Sequence, residues 1–192
     1  MPQVSAQEFH RLPLRVHTFL AGVPLHDVWA VDLPRPRAGI TLDEFLRAET
    51  NCPHSPTPVV RMLLNIRFFV GRIFGWDNES PTITTFTSRL TDADRLRSLI
   101  APGTRDEYFH MVYRFENEQL VELFNRTAHA AALIALVETP TAYRFYFAVY
   151  VRSVSRFTPF YMTVIAPFRK LIVYPYLLRS VRARWNQAFA KS

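Results

Sequence analysis

Cysteine is almost missing from this chain. Cys52 stands alone among 192 residues. No disulfide can close within the chain, a cysteine-built zinc site is excluded, and a reducing compartment is the natural setting. Glycine is scarce as well, at 5 residues, which argues against Gly-rich loops of the kind that cradle nucleotide phosphates. Long apolar runs are missing too. The clearest one, Ala130 to Val137, falls far short of the roughly 20 residues that cross a bilayer. The apolar region Phe157 to Val173 is broken by Pro159, Pro167 and the pair Arg169–Lys170. The first residues carry Glu8, Arg11 and Arg15 without a continuous apolar stretch, so no secretory signal is read there and a cytoplasmic location is expected. The six histidines show no HExxH or comparable spacing, and no GxSxG elbow occurs. No metal site and no cofactor are therefore expected.

Acidic residues also run out. The last is Glu138, and beyond it lie Arg144, Arg152, Arg156, Arg169, Lys170, Arg179, Arg182, Arg184 and Lys191. Residues 1–138 hold the other 14 basic residues and all 16 acidic ones. The net charge of +7 is thus a property of the C-terminal third. Such a field can attract anionic ligands or an anionic lipid surface. A solvated helix face with charged sheet edges is its bland origin. Nucleic acid is disfavoured, because the basic residues alternate with aromatics and no nucleic-acid motif is present.

What is abundant is apolar and aromatic: 49% and 14% of residues, with 20% charged. That is the composition of a globular domain able to bury a sizeable core. Residues 1–25 read as an irregular or loosely docked leader, and 26–192 as a single domain. Val28 to Leu33 reads as a strand stopped by Pro34 and Pro36. Ile40 to Ala48 reads as a helix, with Thr41 and Glu44 placed for a capping box and Ile40 and Phe45 for a hydrophobic staple. A second, largely apolar helix is expected from Pro58 to Gly75. A short third begins at Thr91 and is stopped by Ala101-Pro102-Gly103. Four strands follow: Met111–Glu116, Gln119–Phe124, Arg126–Glu138 and Tyr143–Val154. In the last, Tyr143, Phe145, Phe147, Val149 and Val151 share one face, and Arg144, Tyr146, Ala148, Tyr150 and Arg152 the other. A long helix from about Pro159 to Phe189 should bend near Pro167 and Pro175. The order predicts an α+β fold with one antiparallel sheet and helices on one side.

The stretch FENEQLVELFNRTAHAAALIALVE, then YRFYFAVYVRSV, then FYMTVIAPFRKLIVYPYLLRSVRARW resembles the bacterial family called domain of unknown function 2867. Tyr161-Met162, Ile165, Pro167-Phe168-Arg169 and Ile172-Val173-Tyr174-Pro175 form the most recognisable block, and the resemblance covers roughly residues 25–185. That family is similar to the helix-grip proteins, among them START-like lipid-transfer domains, polyketide cyclases and other SRPBCC-like folds. The resemblance implies a curved antiparallel sheet gripping a long C-terminal helix, with a cavity between them. It implies a fold and no particular reaction.

Several residues are candidates for a site. His129 lies mid-strand on an apolar face with Thr127, Ala131 and Leu133, where small neighbours leave room beside a neutral imidazole. Acid–base chemistry there needs a partner, and Glu122 and Tyr146 sit on neighbouring strands. The alternative is a core histidine bonded to a backbone carbonyl. Trp76, Phe124, Tyr146, Tyr150, Tyr161, Phe168 and Tyr174 can line an apolar cavity with a few polar tips, or simply fill the core. Arg169, close to the expected bend, can pair with an anionic ligand or with a core carboxylate such as Glu122. The leading expectation is a binding domain for a small hydrophobic or amphipathic molecule, held between sheet and C-terminal helix. The ligand contacts are expected from His129, Glu122, Tyr146, Tyr150, Tyr161, Arg169, Tyr174 and Trp76. Two alternatives stay open. One is a cyclase- or hydrolase-type enzyme with His129 as acid and base; the other is peripheral membrane or partner docking through the basic C-terminal segment.

Overall fold

Strand β6 (Ala142–Ser153) and β5 (Ala128–Glu138) carry the longest apolar runs of the chain, and they pair with each other at the centre of the sheet. The structure is a computed structural model that describes residues 3–50, 84–106, 109–124, 128–154, 158, 162–163, 166–167 and 169–189. Around the central pair lie β1 (Leu25–Pro34), β2 (Arg105–Asp106), β3 (Phe109–Arg114) and β4 (Glu118–Phe124). Their order across the sheet is β1-β6-β5-β4-β3-β2, and every neighbouring pair is antiparallel. The expected α+β architecture, an antiparallel sheet with a helix at its C-terminal end, is the one observed.

Period-2 alternation divides the sheet into two apolar faces. Tyr143, Phe145, Phe147, Val149 and Val151 of β6 face one way, together with Trp29, Val31 and Leu33 of β1 and Ile134 and Leu136 of β5. Helix α5 (Tyr174–Phe189) covers this face with Leu178, Val181 and Trp185, and the Trp185 indole N–H donates to the Pro34 carbonyl at 2.9 Å. Helix α3 (Leu42–Thr50) packs beside it, with Phe45 against Trp185. Thr41 caps α3 as expected, accepting from the Glu44 N–H at 3.1 Å, while the Glu44 carboxylate turns to Arg37. Ile40 and Phe45 are buried in one cluster, as a staple requires.

The opposite face carries Val28, Ala30, Leu120, Ala131, Leu133, Ala135, Tyr146, Ala148 and Tyr150. Its cover is the segment read as a leader. Helices α1 (Ala6–His10) and α2 (Val16–Phe19) bring Phe9, Val16, Phe19 and Leu20 into the same core. Residues 3–23 are therefore not loosely docked. Helix α1 is too short and polar to show a strong periodicity, and its burial depends on a sheet formed far away in sequence. Val4 and Gln3 also pair with the outer edge of β1, closing an edge that would otherwise present free backbone groups. A 3₁₀ turn (Phe86–Arg89) and helix α4 (Asp92–Arg97) complete this cover with Phe86 and Leu90. Thr91 and Asp94 form a full capping box, but α4 ends at Arg97, before Ala101-Pro102-Gly103. The helices thus lie on both faces of the sheet, not on one.

Before α5 the chain takes a wide, π-helical turn at Arg169–Val173. Pro175 has no N–H to donate, and its ring would crowd the Leu171 carbonyl in a regular helix; the wide turn accommodates it. The expected break at Tyr174-Pro175 takes this form. The helix predicted for Pro58–Gly75 lies outside the described residues. Among the described residues, no helix is long and apolar enough to cross a membrane.

Candidate functional site

The predicted site residues separate onto the two faces. Glu122, His129, Tyr146 and Tyr150 lie on the face under α1 and α2, while Arg169 and Tyr174 lie on the face under α5. Trp76, Tyr161 and Phe168 lie outside the described residues. One lining contributed by all of these side chains is therefore not formed. The reason is the pleat: the strand register puts residues 122, 129, 146 and 150 on one side of the sheet, and the C-terminal segment packs on the other.

On the first face, Glu122 and His129 meet at 2.8 Å, carboxylate to imidazole Nε2, with side chains 1% and 0% exposed. The expected partner of His129 is thus Glu122; Tyr146 stands opposite Ala135, further along the strand. Phe86 stacks on the imidazole with centroids 3.9 Å apart, and Phe124 meets it edge-on at 5.9 Å. Glu122 also accepts from the Phe86 N–H at 2.7 Å, the Thr87 N–H at 3.2 Å and the Thr87 hydroxyl at 2.8 Å. Burial opposes the charge of this carboxyl, but the donors from His129, Phe86 and Thr87 outweigh it and hold it below the ordinary carboxylate range. Against an ionised Glu122, Nε2 is the donor, and His129 Nδ1 has no partner among the described residues.

Four residues back on the same strand face, Glu118 does a parallel job. It accepts the Arg15 N–H at 2.8 Å and the Val16 N–H at 3.4 Å, where α2 begins. Burial pushes its carboxyl up despite these donors. The Tyr113 and Tyr150 hydroxyls nearby have no partner among the described residues, and burial raises both phenols. Arg15 then forks onto Asp94 with bonds of 3.0 and 2.8 Å, tying α2 to α4. The Arg15 bond, joined by Thr91 and opposed by burial, lowers the Asp94 carboxyl to about 2.

On the second face the centre is Asp27, buried at the head of β1. Asp27 alternates in step with Trp29, Val31 and Leu33 and so faces the C-terminal segment, while the bulge between Leu25 and Asp27 turns Leu25 to the other face with Val28. Its Oδ2 takes Arg169 Nη2 at 3.2 Å, the Tyr174 hydroxyl at 3.2 Å and His26 Nδ1 at 3.1 Å; Lys170 Nζ lies 3.6 Å from Oδ1. Arg169 therefore pairs with a core carboxylate, but with Asp27 and not Glu122, which is on the other side of the sheet. Burial raises the Tyr174 phenol, helped by Asp27 and opposed by Arg169. The Tyr174 ring is the hub of this cluster. Trp29 and Phe147 each pack on it at 5.5 Å, and the Arg169 guanidinium carbon sits 5.9 Å from its centroid. Two donors here, Trp29 Nε1 and Arg169 Nε, are buried without an acceptor among the described residues, and Asp27 Oδ1 likewise has no hydrogen bond there, Lys170 Nζ being its near cation. Val149, Val151 and Met162 supply an apolar floor beside them.

Asp27, Trp29 and Lys170 were not singled out by sequence reasoning. The available signal was an aspartate at the head of an otherwise apolar strand, in step with Trp29, Val31 and Leu33; the segment that covers that face is set by the fold. Among the described residues, no cluster of three or more His, Cys, Asp or Glu side chains forms a metal site.

Fold and site together define an α+β domain with an antiparallel sheet, two donor-filled carboxylates on one face and a cation-rich cluster around a single carboxylate on the other. The chain belongs to the family described as protein of unknown function DUF2867, whose model matches residues 19–176. No curated protein and no solved structure matches it.

Proposed function

We propose that this domain binds a small amphipathic molecule between the sheet and its C-terminal segment, with the polar end of the ligand at Arg169, Lys170 and Trp29. The observation that carries this reading is the pair of buried donors around Tyr174, Trp29 Nε1 and Arg169 Nε, which have no acceptor among the described residues. An unpaired buried donor costs about 1–3 kcal/mol. A ligand carboxylate or phosphate would supply the acceptors. Charge favours the same class, because two cations converge on the single carboxylate of Asp27. The apolar floor of Val149, Val151, Met162 and Phe147 suits a hydrocarbon or aromatic body. Titration with a dansyl-labelled fatty acid tests this reading. Wild type should bind saturably, and Arg169→Gln should weaken binding about tenfold or more. No saturable uptake by the wild-type protein would sink it.

A second reading has a specific observation in its favour. The Glu122–His129 contact is the carboxylate–imidazole arrangement that orients an acid–base histidine, as a cyclase or hydrolase would need. Against it, Glu122 already accepts three further hydrogen bonds from the Phe86–Thr87 turn. The pair thereby serves as the anchor of that turn. Turnover that disappears in His129→Gln with little loss of stability would favour the enzyme.

A further inference from the structure

The turn that directs Arg169 and Lys170 inward exposes the next two residues. Leu171 is 76% exposed and Ile172 39%. In α5, the buried positions Tyr174, Leu178, Val181 and Trp185 face the sheet, and Arg179 and Arg182 stand exposed on the outer side. Neither arginine has a partner among the described residues. The C-terminal segment therefore combines an exposed, adjacent apolar pair with exposed cations that have no partner among the described residues, in a part of the chain that has no acidic residue after Glu138.

We propose that this surface docks the protein onto an anionic lipid bilayer. Leu171 and Ile172 enter the interfacial region, and Arg179 and Arg182 lie over the headgroups. Exposed aliphatic side chains are ordinary when scattered, but two in sequence at a helix break, followed by cations on the outer face, match what an interface of apolar depth and negative charge recognises. A protein partner of the same charge would be met by the arginines equally well. It would not need the protruding Leu171–Ile172 pair to be embedded at the depth of a headgroup layer. The surface is distinct from the Asp27 cluster, which faces inward, and the proposal stands whether or not that cluster takes a ligand.

Co-sedimentation of the full chain with phosphatidylcholine vesicles, with and without phosphatidylserine, tests it. Binding should require phosphatidylserine and fall as salt rises. Arg179→Gln with Arg182→Gln should weaken partitioning about 30-fold. Leu171→Ser with Ile172→Ser should weaken it by about tenfold or more while leaving the salt dependence in place. Both pairs are exposed, so circular dichroism and thermal midpoint should match wild type. Absence of binding to phosphatidylserine vesicles overturns the proposal, as does equal binding to neutral ones. Unchanged partitioning of either double variant also overturns it.

Discussion

On the face under α1 and α2, the carboxylates are filled with donors. Glu122 holds His129 and the Phe86–Thr87 turn, and Glu118 holds the start of α2. Arg15 and Asp94 then tie the two covering segments together. On the face under α5 the balance is reversed. One carboxylate, Asp27, faces Arg169 and Lys170, and buried donors are left over. Carboxylates filled with donors fix a fold; a cluster with more cations than carboxylates is what an anionic ligand can complete. Unpartnered hydroxyls of Tyr113 and Tyr150 occur on the first face as well, so what sets the second face apart is its excess of cations over carboxylates.

The largest effect that can break this comparison is expected at Glu122. Glu122→Ala would strand His129 Nε2 and the Phe86 and Thr87 N–H groups in the core. Stability should fall by about 3 kcal/mol or more, read as the shift of the urea midpoint. A loss near zero would remove the claim that this face is structural. Asp27→Asn comes next and is expected to act in two directions. Weakening the bonds to Arg169 and Tyr174 should cost about 1–3 kcal/mol, yet binding of the dansyl fatty acid should tighten, because the competing internal charge is gone. Weaker binding alongside the lost stability would place Asp27 among the purely structural groups.

The carboxylates of β4 sharpen the comparison through pH. Glu122 has its folded value lowered, so the stability it gives is present above its unfolded value and is lost as pH falls through the folded one. Glu118 has its folded value raised, so its contribution is fullest in acid and is lost as pH rises through that value. At neutral pH, Glu118→Gln should therefore cost less than Glu122→Gln in paired denaturation curves. Asp94 follows the Glu122 pattern. Held to about 2, it stabilises above its unfolded value and should release the Arg15 tie as pH falls towards 2. Asp94→Asn should flatten that acid limb. The smallest stability effect belongs to Trp29→Phe. Loss of an Nε1 without an acceptor among the described residues relieves a buried donor, while the smaller ring loses packing on Tyr174; the two oppose, so stability should change by about 1 kcal/mol or less, while fatty-acid binding drops several-fold.

The strands were legible because β6 and β5 are apolar at a strict period of two, and because Pro34, Thr139-Pro140 and Asn117 punctuate the chain. The Thr91 cap of α4 and the break at Pro175 were legible from local chemistry. Glu122 was legible as one candidate partner of His129 from its place on a neighbouring strand, but the register that brings them together was not. The docking of α1 and α2 was not, since short helices take their place from a sheet built elsewhere. The split of the aromatic set was half visible. Alternation separated Tyr146 and Tyr150 from Phe147 and Val149, but which face α5 would cover is decided by three-dimensional packing of Trp185 and Leu178. The Asp27 cluster was hidden because its partners Arg169, Lys170 and Tyr174 lie far away in sequence and reach it only through the packing of the C-terminal segment.

The central claim is that ligand meets the Asp27 face and leaves the His129 face alone. Titrating ¹⁵N-labelled protein with a fatty acid while following side-chain resonances tests it most directly. The Trp29 indole N–H should shift and saturate, while the Trp185 indole and the His129 ring stay in place. Saturating shifts at His129 with an unmoved Trp29 indole would contradict it.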